Sequence, residues 1–491
     1  MNDVHIYPPL RAEASIGRGA RNEESRIGMQ AGDTMKEISM GDTSISSVEQ
    51  AVRLDFVPKD SYLSKQFLDE ETRNLWPRVW QVACRLEEIP GIGDYVTFDV
   101  IGESIIVVRT AADQIKAYYN VCQHRGRRLT NGCGKAAKFH CNYHGWQWNL
   151  DGSVARVLDR SDWEGCPDMA DDDLHLQEVQ VDTWGGFVFI NMDTNAEPLA
   201  KFLEPVPEIT NCFEFEKMRY RWYKSIRLPC NWKVALEAFN EGYHVSATHP
   251  QLLDVAGDDV TRSFAYGRHG MFGYATATRF IGAPSSRTGK PMPEDVRQGL
   301  VNFFKVMEDT LKAINSARDY EASKRLLTDM APSGNQFEVL AKAMEFQREA
   351  AVAEGAGWPD ISFEQMGRAG ADWHVFPNLI FLPYPDGALF YRARPDGDNP
   401  DSCIYDIWSL VRYAPGAEPP LKREFYYGVD DWKQNALENF GLILWQDFQN
   451  MTNVQQGMKS RGFKGSRTNP LQETSVSNFH RALREFIAQG N

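Results

Sequence analysis

A chain of 491 residues is too long for one average hydrophobic core, which implies two domains. Its 53 basic and 67 acidic residues leave a net charge of −14, which argues against nucleic acid and anionic membrane as partners. No apolar run reaches the roughly 18 residues of a membrane span, no apolar signal core opens the chain, and 8 cysteines are few for a disulfide framework; a cytoplasmic protein is expected.

Residues 1–48 are polar and rich in Gly, Ser, Arg and Glu, and are expected to form a mobile segment because so little of it can be buried. A small all-β domain is expected over 49–180. Residues 95–100 alternate, with Val96, Phe98 and Val100 on one face. Strands over 105–109 and 115–120 follow, and a strand over 184–192 closes the region.

Two mixed pairs sit at the tips after such strands. Cys122-x-His124 comes first, and Cys141-x2-His144 follows after sixteen intervening residues. Two thiolates on one iron and two imidazoles on the other are what a Rieske [2Fe–2S] centre requires. Structural zinc sites pair Cys with Cys and His with His at longer spacings, so they fit less well. Gly126 and Gly145 close each pair and let backbone N–H groups approach the cluster sulfurs. Cys133 and His140 fit neither pair and read as ordinary residues. A cluster of this type handles single electrons.

The rest of the chain, 181–491, reads as mixed α+β. A strand is expected over 219–228 and a helix over 231–244. On that helix Trp232, Leu236, Phe239 and Tyr243 form an apolar stripe, with Glu237, Glu241 and His244 on another face. His249 would point about 140° away from His244 on a continuous helix. The two converge only if the helix ends between them, and Pro250 favours an ending there. Two imidazoles and one carboxylate with open positions make the facial triad of non-haem Fe(II) oxygenases. Residues 293–350 read as helical, with Val296, Leu300, Phe303, Met307, Leu311 and Ile314 on one face. That face is open to two readings, an outer helix packed on the domain or a lid or subunit contact. Strands are expected over 376–394 and 404–413, and helices over 430–460 and 472–488. Asp447 falls inside the apolar stripe of Leu444, Phe448, Met451, Val454 and Met458. A carboxylate there needs a metal or an arginine partner.

Taken together, Cys122-x-His124, Cys141-x2-His144-Gly-Trp146, Asn231-Trp-Lys233, Glu237-Ala-Phe-Asn-Glu241-Gly-Tyr-His244-x4-His249-Pro250, Phe376-Pro-Asn378, Asp447 with Val454-Gln-Gln-Gly457, and Phe479-His480-Arg481 resemble the large (α) subunit of Rieske non-haem iron aromatic-ring-hydroxylating oxygenases. The likeness covers roughly residues 55–488. It implies an α+β fold, with a small all-β Rieske domain followed by a helix-grip (START-like) catalytic domain carrying a helical insertion at 282–370. It implies a [2Fe–2S] cluster on Cys122, His124, Cys141 and His144, and mononuclear Fe(II) on His244, His249 and Asp447. It also implies that Glu241 bridges electrons to His144 of the partner subunit, with Glu237 as the fallback. The Asn that follows the early Glu in some relatives is Ala238 here.

The implied reaction uses O2 to cis-dihydroxylate, monooxygenate or demethylate a small aromatic or related substrate. Gly91-Ile-Gly93 lacks the third glycine and the context of a dinucleotide fingerprint. Electrons from NAD(P)H are therefore expected only through a separate flavin/iron–sulfur reductase, with or without a ferredoxin. The expected assembly is a head-to-tail homotrimer, with a small β subunit as an option. The rival class is a Rieske-type electron carrier or redox sensor without oxygenase activity. It would hold two irons per chain rather than three.

Overall fold

The computed structural model describes residues 51–256, 261–274, 279, 281–428 and 430–490. The mobile segment expected over 1–48 lies outside them.

The first unit is a seven-stranded antiparallel sheet. Its spatial order is Gln81–Arg85, Phe187–Asn191, Glu178–Trp184, Gln114–Tyr119, Glu103–Ala111, Asp94–Val100 and Cys133–Lys135. Period-two alternation divides the strand Glu103–Ala111 between two cores. Ile105 and Val107 join the large core shared with the rest of the chain, while Ile106 and Val108 face a small core under the two Cys/His loops. Trp146, Trp148 and Phe139 fill that small core, beside a three-stranded sheet of Phe139–His140, Gln147–Trp148 and Val154–Arg156. The division expected at residue 180 falls inside the strand Glu178–Trp184, whose neighbour Phe187–Asn191 completes the same sheet.

The second unit is an eight-stranded sheet in the order Thr261–Tyr266, His269–Tyr274, Asp372–Val375, Leu379–Pro383, Gly387–Asp396, Asn399–Val411, Arg219–Leu228 and Arg423–Tyr426. All its pairs are antiparallel except the last. Register puts His374 opposite Ile380, Ile380 opposite Tyr391, and Tyr391 opposite Ile407, so these side chains share one face. Three helical segments cover that face. Phe239, after the helix Trp232–Glu237, stacks on Tyr391 at 4.1 Å between ring centroids. Phe448 of the helix Ala436–Met458 meets Tyr405, and Phe479 of the helix Thr474–Ala488 meets His374. The chain thus has the expected architecture, with helices gripping a sheet.

One buried arginine joins the two units. Arg392 donates to the carbonyls of Val82 and Ala83 at 2.5 and 3.1 Å, and to Asp406 at 2.6 and 2.9 Å. Burial opposes the charge on Asp406, but Arg392 and Arg394 outweigh it and hold its carboxyl below the usual carboxylate range.

The expected insertion is a cluster of helices: Arg297–Thr310, Ala317–Ser323, Leu326–Asp329, Gln336–Ala353 and Phe363–Ala369. They bury a core of their own around Leu300, Phe304, Leu326, Val339 and Ala343, with Phe303 only partly buried at its margin. The cluster touches the Asp447 helix where that helix breaks. Gly441 has φ 80° there, and a Cβ on it would lie 2.3 Å from the Thr310 carbonyl oxygen.

The helix expected over 231–244 is much shorter, ending at Glu237. The following turns satisfy their backbone through side chains. The Glu241 carboxylate accepts the backbone N–H groups of Tyr243 and His244, an arrangement that competes with helix continuation. The buried Asn240 side chain accepts the Ser475 hydroxyl. Tyr243, placed in the apolar stripe by periodicity, is 46% exposed.

Candidate metal centres

The two Cys/His loops are built alike. The Cys122 N–H donates to the Arg127 carbonyl and the Cys141 N–H to the Trp146 carbonyl, at 2.9 and 2.8 Å. The Gly126 N–H returns to the Cys122 carbonyl and the Gly145 N–H to the Cys141 carbonyl, each at 3.0 Å. Both glycines sit in the left-handed region, at φ 72° and 74°, which any side chain would disfavour. The loops bring the His124 and His144 rings to 4.6 Å between centroids, and Trp146 stacks on His124 at 5.0 Å.

The Nδ1 atoms of His124 and His144 are buried and lack a hydrogen-bond partner among the described residues. Two aligned imidazole nitrogens left bare beside two buried cysteines form a donor set that suits a [2Fe–2S] cluster. Burial, helped by His144 and Arg125, holds the His124 imidazole below its ordinary range, which favours the neutral form a metal ligand needs. Burial raises the Cys122 thiol, and the adjacent Cys141 adds to this; bound iron would reverse the effect by ionising both. Cys133 is exposed on its strand, and His140 is exposed with Nδ1 on Asn142 at 2.9 Å, so both lie apart from the four.

His244, His249 and Asp447 converge in the second unit, with one donor atom from each within 4.8 Å of the others. His249 reaches the site because the chain passes through only a short turn of helix, Val245–Thr248, before Pro250. Its Nε2 lies 3.0 Å from Asp447 Oδ1, and His244 Nε2 lies 3.7 Å from the same atom. The other ring nitrogens are fixed from behind. His244 Nδ1 donates to Glu241 Oε1 at 2.6 Å, and His249 Nδ1 donates to Gln446 Oε1 at 2.9 Å. Those bonds select the tautomers that turn both Nε2 atoms inward. Asp447 is 2% exposed and its Oδ2 has no partner among the described residues. Its ion-pair partners there are the two histidines, not an arginine. Burial disfavours charge on His244, but Glu241 and Asp447 outweigh it and push the imidazole up to about 9. A divalent cation would displace that proton and relieve the bare oxygen, so the donor set suits mononuclear Fe(II).

A cavity of about 290 Å³ opens beside these residues, lined by Glu237, Glu241, His244, Asp447, Met451 and Glu473 among others. Both oxygens of Glu237 are engaged within the chain, by His480 Nε2 at 2.5 Å and the Tyr62 hydroxyl at 3.1 Å. Glu241 is likewise engaged through both oxygens, but its partners are His244 and the backbone N–H groups of Tyr243 and His244, directly behind the iron site. Sequence reasoning passed over Gln446 and its companion Gln251, which donates to Gln446 Oε1 at 2.8 Å. The only sequence signal was that Gln446 adjoins Asp447.

Comparison with known proteins bears on this pair of sites. Residues 79–163 match the Rieske [2Fe-2S] domain, and residues 215–489 match the ring hydroxylating alpha subunit (catalytic domain). The chain belongs to the ring-hydroxylating alpha subunit family, which carries a Rieske [2Fe–2S] cluster and mononuclear iron. It is 34% identical over 207 residues to the carnitine monooxygenase oxygenase subunit of Escherichia coli K12, covering 40% of this chain and 53% of that one. It is 32% identical over 211 residues to the glycine betaine monooxygenase oxygenase subunit of Pseudomonas aeruginosa, covering 42% and 48%. The alignments thus span about half the length of these curated relatives. Among solved structures, a quaternary ammonium Rieske monooxygenase in complex with L-carnitine matches with TM-score 0.58 and 19% identity, covering 88% of this chain and 95% of that one. Naphthalene 1,2-dioxygenase with bound indole matches with TM-score 0.60 and 19% identity, covering 89% and 93%. At such identities the structural likeness establishes the fold.

Proposed function

We propose that this chain is the terminal oxygenase component of a multicomponent Rieske oxygenase, and that it monooxygenates a small quaternary ammonium compound. One observation carries the oxygenase reading: the inward-facing donors of His244, His249 and Asp447 stand in the same chain as the two Cys/His loops. A plain electron carrier has no use for that second donor set. The substrate class rests on the sequence relatives, which are named for carnitine and glycine betaine. It replaces the aromatic substrate expected from the motifs alone.

Cys122, His124, Cys141 and His144 would hold the [2Fe–2S] cluster, and His244, His249 and Asp447 the iron. When bound, these groups supply one-electron transfer and O2 activation. The protein's part is positional. Glu241 accepts a hydrogen bond from His244 Nδ1, and Gln446 one from His249 Nδ1, so each ring turns Nε2 towards the place where the iron would sit. Glu241 also stands at the wall of the cavity, the position from which it would bridge to His144 of the partner subunit in a head-to-tail trimer. Asp447, 2% exposed, would hold the iron from a side shielded from bulk water. The electrons come from NAD(P)H through a separate reductase.

Iron analysis tests the reading. The oxygenase holds three irons per chain, and a carrier holds two. His244→Ala should retain two irons and the cluster's EPR signal while abolishing substrate-dependent O2 consumption in the presence of a reductase. A wild-type content of two irons, or full turnover in His244→Ala, refutes it.

A further inference from the structure

Asp372 is 1% exposed, and no hydrogen bond or ion pair to its carboxyl is found among the described residues. Buried carboxyl groups are normally paired, so an unpaired one calls for an explanation. Two other buried carboxyls of this unit illustrate the rule: Asp406 has Arg392 and Asp386 has Arg318.

The position of Asp372 is informative. It precedes His374 by two residues on the strand Asp372–Val375, so it faces the gripped side of the sheet with His374, Ile380 and Tyr391. Across the ladder it stands opposite Phe272, whose ring lies near Gly242 in the turn that carries Glu241 and His244. The iron-site helix reaches the same aromatic group: Phe448, the residue after Asp447, meets Tyr405 edge-on at 6.2 Å between ring centroids, and Tyr405 stacks on Tyr391 at 5.6 Å. Asp372 thus shares a sheet face with Tyr391, and Asp447 adjoins the residue that packs on Tyr405. Phe239, Tyr391 and Tyr405 stack there with ring centroids 4.1 to 6.0 Å apart.

We infer that Asp372 is the specificity-determining counter-charge for a cationic nitrogen of the substrate, seated on the aromatic side of the iron site. A carboxylate beside aromatic rings is a combination that favours an ammonium group over its uncharged isostere. Burial alone pushes the Asp372 carboxyl well above the usual carboxylate range. A bound cation returns the counter-charge that the fold withholds.

The inference rests on the oxygenase reading but is tested apart from it. Calorimetry on the purified full chain, stripped of the mononuclear iron, would compare choline with its uncharged carbon isostere, dimethylbutanol. The wild type should bind choline at least about tenfold more tightly. Asp372→Asn should abolish that preference and leave dimethylbutanol binding unchanged, and Asp372→Ser serves as the second variant if the first is unstable in thermal melts. Equal binding of the two probes by the wild type, or a preference that survives in the variants, overturns the assignment. Iron content and O2 consumption decide the oxygenase reading independently, so either can fail alone.

Discussion

In the Rieske unit, four Cys and His side chains come from two short loops of the same design, each closed by a left-handed glycine and a matched pair of backbone hydrogen bonds. In the catalytic unit, two histidines from a broken helical segment meet an aspartate from a helix near the other end of the domain; 197 residues separate His249 from the Gln446 that orients it. The first site depends on local turn geometry, with two buried cysteines and two half-buried histidines as its ligands. The second depends on tertiary packing, with Asp447 and His249 buried. A loop site tolerates drift in the body of the protein, whereas a site shared between distant elements requires both to stay in register.

The largest expected effect is on the distributed site. Asp447→Ala should lose the mononuclear iron, leaving two irons per chain by metal analysis, with oxygenase activity down at least about a hundredfold. The local site should respond in potential rather than occupancy. His144→Cys should keep an iron–sulfur cluster but lower its midpoint by on the order of 100 mV or more in redox titration, because the two imidazoles together raise a Rieske potential by about 250 mV or more. A midpoint that stays put would mean that His144 is not a ligand. Removing the support behind a ligand should cost less than removing the ligand. Gln446→Ala should weaken iron binding about ten- to a hundredfold in chelator competition, with the cluster signal unaffected.

The smallest effect concerns pH and the sheet beneath the iron site. Burial lowers His269 to about 3 and His374 to about 4. Both folded values lie below the unfolded value of about 6.5. The stability these neutral rings contribute is thus complete above about pH 6.5 and is lost as pH falls towards 4. Each should cost about 1.4 kcal/mol per pH unit in that window. His269→Gln should flatten the acid slope of the unfolding free energy by one histidine's share. An unchanged slope would remove His269 from the account.

The legibility of the two sites in the sequence followed the same division. The Cys/His pairs and their glycines could be read because ligand, spacing and turn residue lie within one short stretch. Asp447 stood out only as a charge in an apolar stripe, and its nearness to His249 needed the fold. The turn at 238–244 was misread as helix because periodicity registers Tyr243 as an apolar position. It cannot register that Glu241 will cap its own backbone. Gln446 and Asp372 left no trace, since neither a glutamine on a helix nor an aspartate at the start of a strand departs from any local pattern.

Gly441 gives the distributed site a mechanical dependence. The helix carrying Asp447 breaks where the insertion presses the Thr310 carbonyl against it, too close for any side chain. The aim of the carboxylate is therefore set at a fulcrum several residues away, and the helical insertion supplies the support. Lengthening or shifting the insertion would act on the iron like a lever, altering the angle of a ligand that it never touches.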